Sequence, residues 1–371
     1  MRHLLLGAVV AAALTFTSAL PAAAQTAPAV SAERADAPLT LPRPKDGRTR
    51  PLIVVVGEND GAETTDFVVP YGVLKDSGVA DVRSLSTREG PLQLLRAVRI
   101  MADQTISAFE ASEPAGADIV IIPAQLAPRD AALTAWVQSQ AARGAVIISV
   151  CEGARVLAHA GLLDGRRAAT HWSALKELDR AYPDTDWVRD LRYVQDGPII
   201  STTGVTASIP MSLALVEAIG GRAAARATAD RLGVSDWTAS HRTADFNLSR
   251  GDFLRAVGTV LAVWTHETIE LPVADGVDEV ALALRSDAWA RSYRSRVATT
   301  SVDQAAVTSK RGLVILPDAT PHRGRFVIPA DQGPAAAQLD RAIDGMAERY
   351  GPAARRFAVL GLEYDAPVIA P

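Results

Sequence analysis

From residue 52 onward, uninterrupted apolar runs alternate with segments of helical period. The run 52–56 is β-branched and ends at Gly57, the pattern of a strand covered on both faces. Helical spacing over 66–75 stops at Gly78, and 79–85 alternates as a strand. A buried run at 118–122 stops at Pro123, and Leu133, Trp136, Val137 and Gln140 then fall at helical spacing before Gly144. Residues 145–150 predict another buried strand and 155–160 a helix ended by Gly161; 198–202 and 211–219 repeat the strand and helix order before Gly220 and Gly221. This alternation predicts an α/β fold, a flavodoxin-like three-layer sandwich on a mainly parallel sheet.

The pattern then recurs. A shift of 215 positions superposes Val82, Ser86, Ile100, Asp103 and Thr105 on Val297, Ser301, Ile315, Asp318 and Thr320, and Ile122-Pro123-Ala124 is echoed by Ile328-Pro329-Ala330. A helix carrying Leu339, Ile343 and Met346 follows, then Gly351 and an apolar run at 357–362 that predicts a strand. The expected organisation is a principal domain at 52–226, a helical connector at 227–276, and a truncated second α/β module at 277–371. That module has Glu363, Tyr364 and Asp365 in the place of a cysteine, so it lacks a nucleophile. In the connector, Phe253, Leu254, Val257, Val260, Leu261 and Trp264 make the apolar stripe of an amphipathic helix, which predicts core or an interface.

Upstream, Arg2 and His3 precede an apolar run at 4–14, and Ala22, Ala23 and Ala24 follow Pro21, the order of a secretory signal peptide over 1–24. The apolar core is too short to span the roughly 30 Å of a bilayer, so the expectation is a periplasmic or secreted protein without a stable membrane anchor. Residues 25–51, rich in Ala, Pro and Arg, read as a flexible linker.

Composition narrows the function classes. With 48% apolar and 22% charged residues the chain is globular, and 38 basic against 42 acidic residues leave no global field for a polyanion, so nucleic acid is not an expected partner. One cysteine makes neither an internal disulfide nor a thiolate metal cluster. The remaining histidines lack ligand spacing, and neither metal nor cofactor is expected.

That cysteine, Cys151, falls where the strand 145–150 turns into a helix, with Gly153 giving the turn room. A strained strand-to-helix junction exposes a nucleophile to helix N-terminal amides, which predicts a depressed thiol pKa; the alternative is a small buried hydrophobe.

The residues 148–158, from Ile148-Ser149-Val150-Cys151-Glu152-Gly153 to Ala158, continuing to Ala169-Thr170-His171-Trp172, resemble the ThiJ/PfpI superfamily (class I glutamine amidotransferase-like). The most similar branch holds isonitrile hydratases and the amidase-like sensor domains of AraC-type regulators. The segment from Asp66-Phe67-Val68-Val69-Pro70 matches the place of an acidic residue beside the cysteine. The resemblance implies Cys151 as nucleophile, Asp66 as its carboxyl partner and His171 as a proton shuttle, with Glu152, Gln125 and Gly153 around the pocket. Ala124 and Gln125 replace a glycine pair of many relatives, which puts a side chain where an oxyanion donor would stand. The implied functions are a cysteine-dependent hydrolase or hydratase acting on a small carbonyl, amide or isonitrile carbon, or a non-catalytic ligand-binding or redox-sensing module. A small molecule is the expected partner, and a homodimer is allowed.

Overall fold

The computed structural model describes residues 37–365 apart from 46, 96–97 and 331; the signal peptide expected at 1–24 lies outside the described residues. The principal sheet contains β1 (Leu52–Gly57), β2 (Asp81–Ser86), β3 (Gln104–Thr105), β4 (Ile119–Ile122), β5 (Val146–Ser149), β6 (Tyr193–Asp196) and β7 (Ile199–Thr202). Their order is β6-β7-β5-β4-β1-β2-β3, and every neighbouring pair is parallel except the β6–β7 hairpin. Strands β1, β4, β5 and β7 are buried along their whole length, which is why they read as continuous Ile and Val runs.

Helices cover both faces. On one, Val54, Val56, Val120, Ile122 and Ile147 join Leu133, Trp136, Val156 and Leu157 in a single core. Over the other lies the helix Thr64–Ser77, which packs against Ser208–Gly220. The α/β sandwich and its mainly parallel sheet are therefore as expected. No helix of the described residues is long and apolar enough to cross a membrane.

The 215-residue echo reappears in the backbone. Strand Glu267–Pro272, helix Glu279–Ala290 and strand Ser295–Thr300 stand at the shifted positions of β1, helix Thr64–Ser77 and β2, and the two strands are again parallel neighbours. Even the side-chain ties repeat. Asp103 accepts from the amide and hydroxyl of Ser84 at 2.8 and 2.9 Å, and Asp318 accepts from those of Thr299 at 2.9 and 3.0 Å. Strands Val98–Met101 and Val314–Leu316 pair antiparallel with Ile100 opposite Ile315, its own echo, so the two copies meet about a local two-fold axis. Across it Thr65 donates to Asp287 at 3.1 Å, and a Cβ on Gly72 would lie 2.4 Å from Val280 Cγ2, so only glycine permits the helices this approach.

The boundaries and one element differ from expectation. The stretch 227–276 contains the strand Glu267–Pro272 as well as helices, so the echo begins at Glu267, before Val277. The tail packs onto the first copy through its strand Val314–Leu316, which joins the sheet of Leu92–Leu95 and Val98–Met101. Residues 357–362 belong to the helix Pro352–Leu362, not to a strand. Proline at its first turn presets helical φ, and the buried Ala354, Phe357 and Ala358 recur at i, i+3 and i+4.

Candidate active site around Cys151

Cys151 opens a short 3-10 turn, Cys151–Gly153, that leads from β5 into the helix Ala154–His159. Its φ is +57°, a left-handed backbone that costs a non-glycine residue about 1 kcal/mol. The surroundings hold it there. Its amide donates to Thr202 Oγ1 at 3.2 Å and its carbonyl accepts from Thr170 Oγ1 at 3.1 Å. Gly153 is required by space: a Cβ there would sit 2.1 Å from the carbonyl oxygen of Ile122. The elbow is thus built as the sequence pattern predicts.

Its ionisation is not. Cys151 is 5% exposed, and burial pushes its thiol well above the ordinary range; the carboxyls of Asp66, Glu152 and Glu63 push it further, opposed by Arg291. The expected depression is corrected to a rise, because the thiol sits in a dry site with three acidic neighbours that outweigh the helix N-terminus.

Asp66 is fully buried within the first turn of the helix Thr64–Ser77, one turn past Glu63, so it is not the N-cap. Its Oδ2 accepts from the Ala124 amide at 3.2 Å, while its buried Oδ1 has no hydrogen-bond partner. Burial, and then the charge of Glu63, raise its pKa well above the usual carboxyl range. A neutral carboxylic acid with a free oxygen therefore stands in the site, able to donate a proton.

Gln125 does not present its side chain to a ligand. Its Oε1 accepts from the Glu58 amide at 2.9 Å, and its Nε2 donates to the carbonyls of Pro123 at 3.0 Å and Val56 at 3.3 Å. The side chain expected to intrude on the pocket is consumed in tying loop backbones together. Glu152 turns outward, pairing with Arg155 at 2.7 Å and accepting from Ser173 at 3.3 Å.

His171 caps the helix Trp172–Ala181, with Nδ1 accepting from the Ser173 amide at 3.3 Å. That places its proton on Nε2, which faces Glu363 Oε2 at 4.0 Å. Burial lowers its pKa, so the ring is neutral. It neighbours the site through Thr170, but its hydrogen bonds run to Ser173 and its free edge to Glu363, away from Asp66.

Several residues of the site come from outside the principal domain and have no sequence signature. Arg291, just past the helix Glu279–Ala290, donates to Glu63 at 2.9 Å, to Asp287 at 2.9 and 3.2 Å and to the Gly361 carbonyl at 2.5 Å. Glu363 has a fully buried side chain, 2.9 Å from His241 Nε2, and its Oε2 accepts from the Trp172 amide at 3.3 Å. The echo module has no cysteine, yet its residues wall the Cys151 site of the first copy. The described residues hold no cluster suited to a metal ion.

A profile of the DJ-1/PfpI family matches residues 52–218, the stretch that contains the sheet, Asp66 and the Cys151 elbow. The chain belongs to the DJ-1/PfpI family. Among relatives of this DJ-1/PfpI domain are the HTH-type transcriptional regulator CdhR of Pseudomonas aeruginosa and the isonitrile hydratase of Pseudomonas putida. The former is 32% identical over 135 residues, covering 36% of this chain and 38% of that protein. The latter is 40% identical over 88 residues, covering 23% of this chain and 36% of that protein. The chain thus spans little more than a third of the length of either. The crystal structure of a mutant DJ-1 superfamily protein from Salmonella typhimurium superposes with a TM-score of 0.45 at 26% identity, over 50% of this chain and all of that one.

Proposed function

We propose that the protein is an exported, cysteine-dependent enzyme of the hydratase or hydrolase type, acting on a compact electrophilic carbon such as that of an isonitrile or small carbonyl compound. The observation that carries this reading is the fully buried Asp66 carboxyl with its unpartnered Oδ1, whose pKa burial pushes up toward the neutral acid. Addition of the thiol to a carbonyl leaves negative charge on oxygen, and addition to an isonitrile leaves it on the carbon attacked, which takes up the proton to give a thioformimidate. A proton from Asp66 Oδ1 neutralises that charge as it forms, and the proton lost by the thiol restores the acid. Water then displaces the sulfur, so an isonitrile and one water give a formamide.

The site suits this better than amide hydrolysis. Three amides beside the thiol are already engaged: Ala124 with Asp66, Cys151 with Thr202, and Gly153 with the Val150 carbonyl at 2.8 Å. Export rests on the charged, apolar and small-residue order of 1–24. One observation favours a second reading as a non-catalytic ligand-binding module: Cys151 lines none of five clefts on the described surface. The test is formamide production from a small alkyl isonitrile by the parent and by Cys151→Ser. Turnover by the parent alone supports the enzyme; saturable binding by both without product supports the module.

A further inference from the structure

The amphipathic stripe in the expected connector is neither core nor covered. Ser249 and Asp252 form a capping box that starts the helix Arg250–Leu261. Asp252 is the buried residue of this helix, and Arg356 donates to it at 2.9 Å, which fastens the polar side to the helix Pro352–Leu362. The apolar side therefore points away from the protein. Phe253, Leu254, Val257, Val260 and Leu261 recur at the helical period and share one arc, and Trp264 follows in the short turn Val263–Thr265. Leu254 is 69%, Leu261 62% and Trp264 82% exposed.

Charge and size decide what covers this arc. Asp252 is the sole carboxylate between 246 and 266, and it is bound by Ser249 and Arg356, with Arg255 3.8 Å from its other oxygen. Arg250 and Arg255 are exposed, so the helix is cationic toward solvent. Twelve residues make a helix about 18 Å long, and one such helix on its copy buries less than the roughly 1,200 Å² of a specific protein interface. A lipid surface needs no complementary groove, takes leucine and tryptophan at the headgroup boundary, and supplies anions to the arginines.

We propose that the helix Arg250–Leu261, extended by Trp264, docks the protein reversibly onto an anionic lipid surface. The arc lies in the headgroup plane and Arg250, which falls on it, contacts lipid phosphates, while Arg255, on the other side of the helix beside Asp252, adds to the attraction through its field. This is peripheral contact, with no segment crossing the bilayer.

Flotation of the full chain with phosphatidylglycerol-containing vesicles tests it, with pure phosphatidylcholine vesicles as the comparison. The parent floats with the anionic vesicles. L254S/L261S/W264S lowers the partition coefficient by more than about 100-fold, since three large side chains no longer gain burial. R250Q/R255Q lowers it by about 30-fold, from roughly 1 kcal/mol per basic residue at an anionic surface, and added salt weakens the parent in the same way. All variants keep residues 1–36, so any contribution of the leader cancels. Circular dichroism confirms folding; if the triple variant does not fold, R250Q/R255Q and the salt series still decide. Equal flotation of parent and variants overturns the proposal, as does a parent that stays with the protein fraction, whether monomeric or as a concentration-dependent dimer lost in L254S/L261S/W264S.

Discussion

Arg291 lies far from the motif in sequence, yet replacing it should affect both stability and the nucleophile. It is 11% exposed and neutralises Glu63 and Asp287, whose side chains are 6% and 0% exposed. Arg291→Met removes the one guanidinium that bridges these two buried carboxylates, a loss of about 3 kcal/mol or more, the low end for a broken buried pair because Thr65 still donates to Asp287. At roughly 2 °C per kcal/mol for a chain of this size, the melting temperature falls by about 6 °C or more. Arg291 is also the cation that opposes the rise in the Cys151 pKa, so its removal shifts the thiol further up and slows iodoacetamide alkylation at pH 8. Differential scanning fluorimetry and alkylation rates across pH read the two effects. Arg291→Lys keeps the charge but loses the forked geometry, so it should retain most of the alkylation profile while losing part of the stability. A melting temperature within about 1 °C of the parent together with an unchanged alkylation profile would refute the reasoning.

Other expectations follow from the same geometry. Because folding raises the Asp66 pKa, its burial costs stability above the ordinary carboxyl range, so Asp66→Asn should stabilise the protein by about 1–2 kcal/mol at pH 7, seen in chemical denaturation; a lower midpoint contradicts the neutral-acid assignment. His241, pushed up to about 9 despite burial by the carboxylates of Glu363, hydrogen-bonded at 2.9 Å, and Asp365, 3.8 Å away, contributes stability that is complete below about 6.5 and lost as pH rises through 9. His241→Gln should therefore flatten the stability profile between those values, and an identical slope in the variant counts against the pair. Gly153→Ala drives a Cβ to 2.1 Å from the Ile122 carbonyl and should cost about 3 kcal/mol; a normal melting temperature would show that the elbow can relax.

The sheet is legible in the sequence because β1, β4 and β5 are buried on both faces and so read as unbroken β-branched runs. The elbow is legible because glycine after a strand-ending cysteine has few other uses. The run 357–362 misleads because short apolar segments do not distinguish strand from buried helix, although Pro352 marks a helix start. The site's electrostatics are not legible. Asp66 and Glu152 are legible as acidic neighbours of the thiol, but Arg291 reaches Glu63 across 228 positions, and no local pattern predicts that pair or the burial that raises the thiol pKa. The stripe at 253–264 is amphipathic on the page of the sequence, but its direction depends on Arg356 holding Asp252, a contact across 104 positions.

The most direct test of the Cys151 and Asp66 chemistry is a paired measurement on Asp66→Asn. Asparagine replaces one neutral group by another of the same shape, so Cys151 should alkylate at close to the parent rate. Removing the proton donor should lower kcat/KM for isonitrile hydration by about 100-fold or more, the range of a general acid. Near-parent alkylation with failing turnover is the predicted result; turnover equal to the parent, or a large gain in alkylation that shows a charged Asp66, would contradict the account.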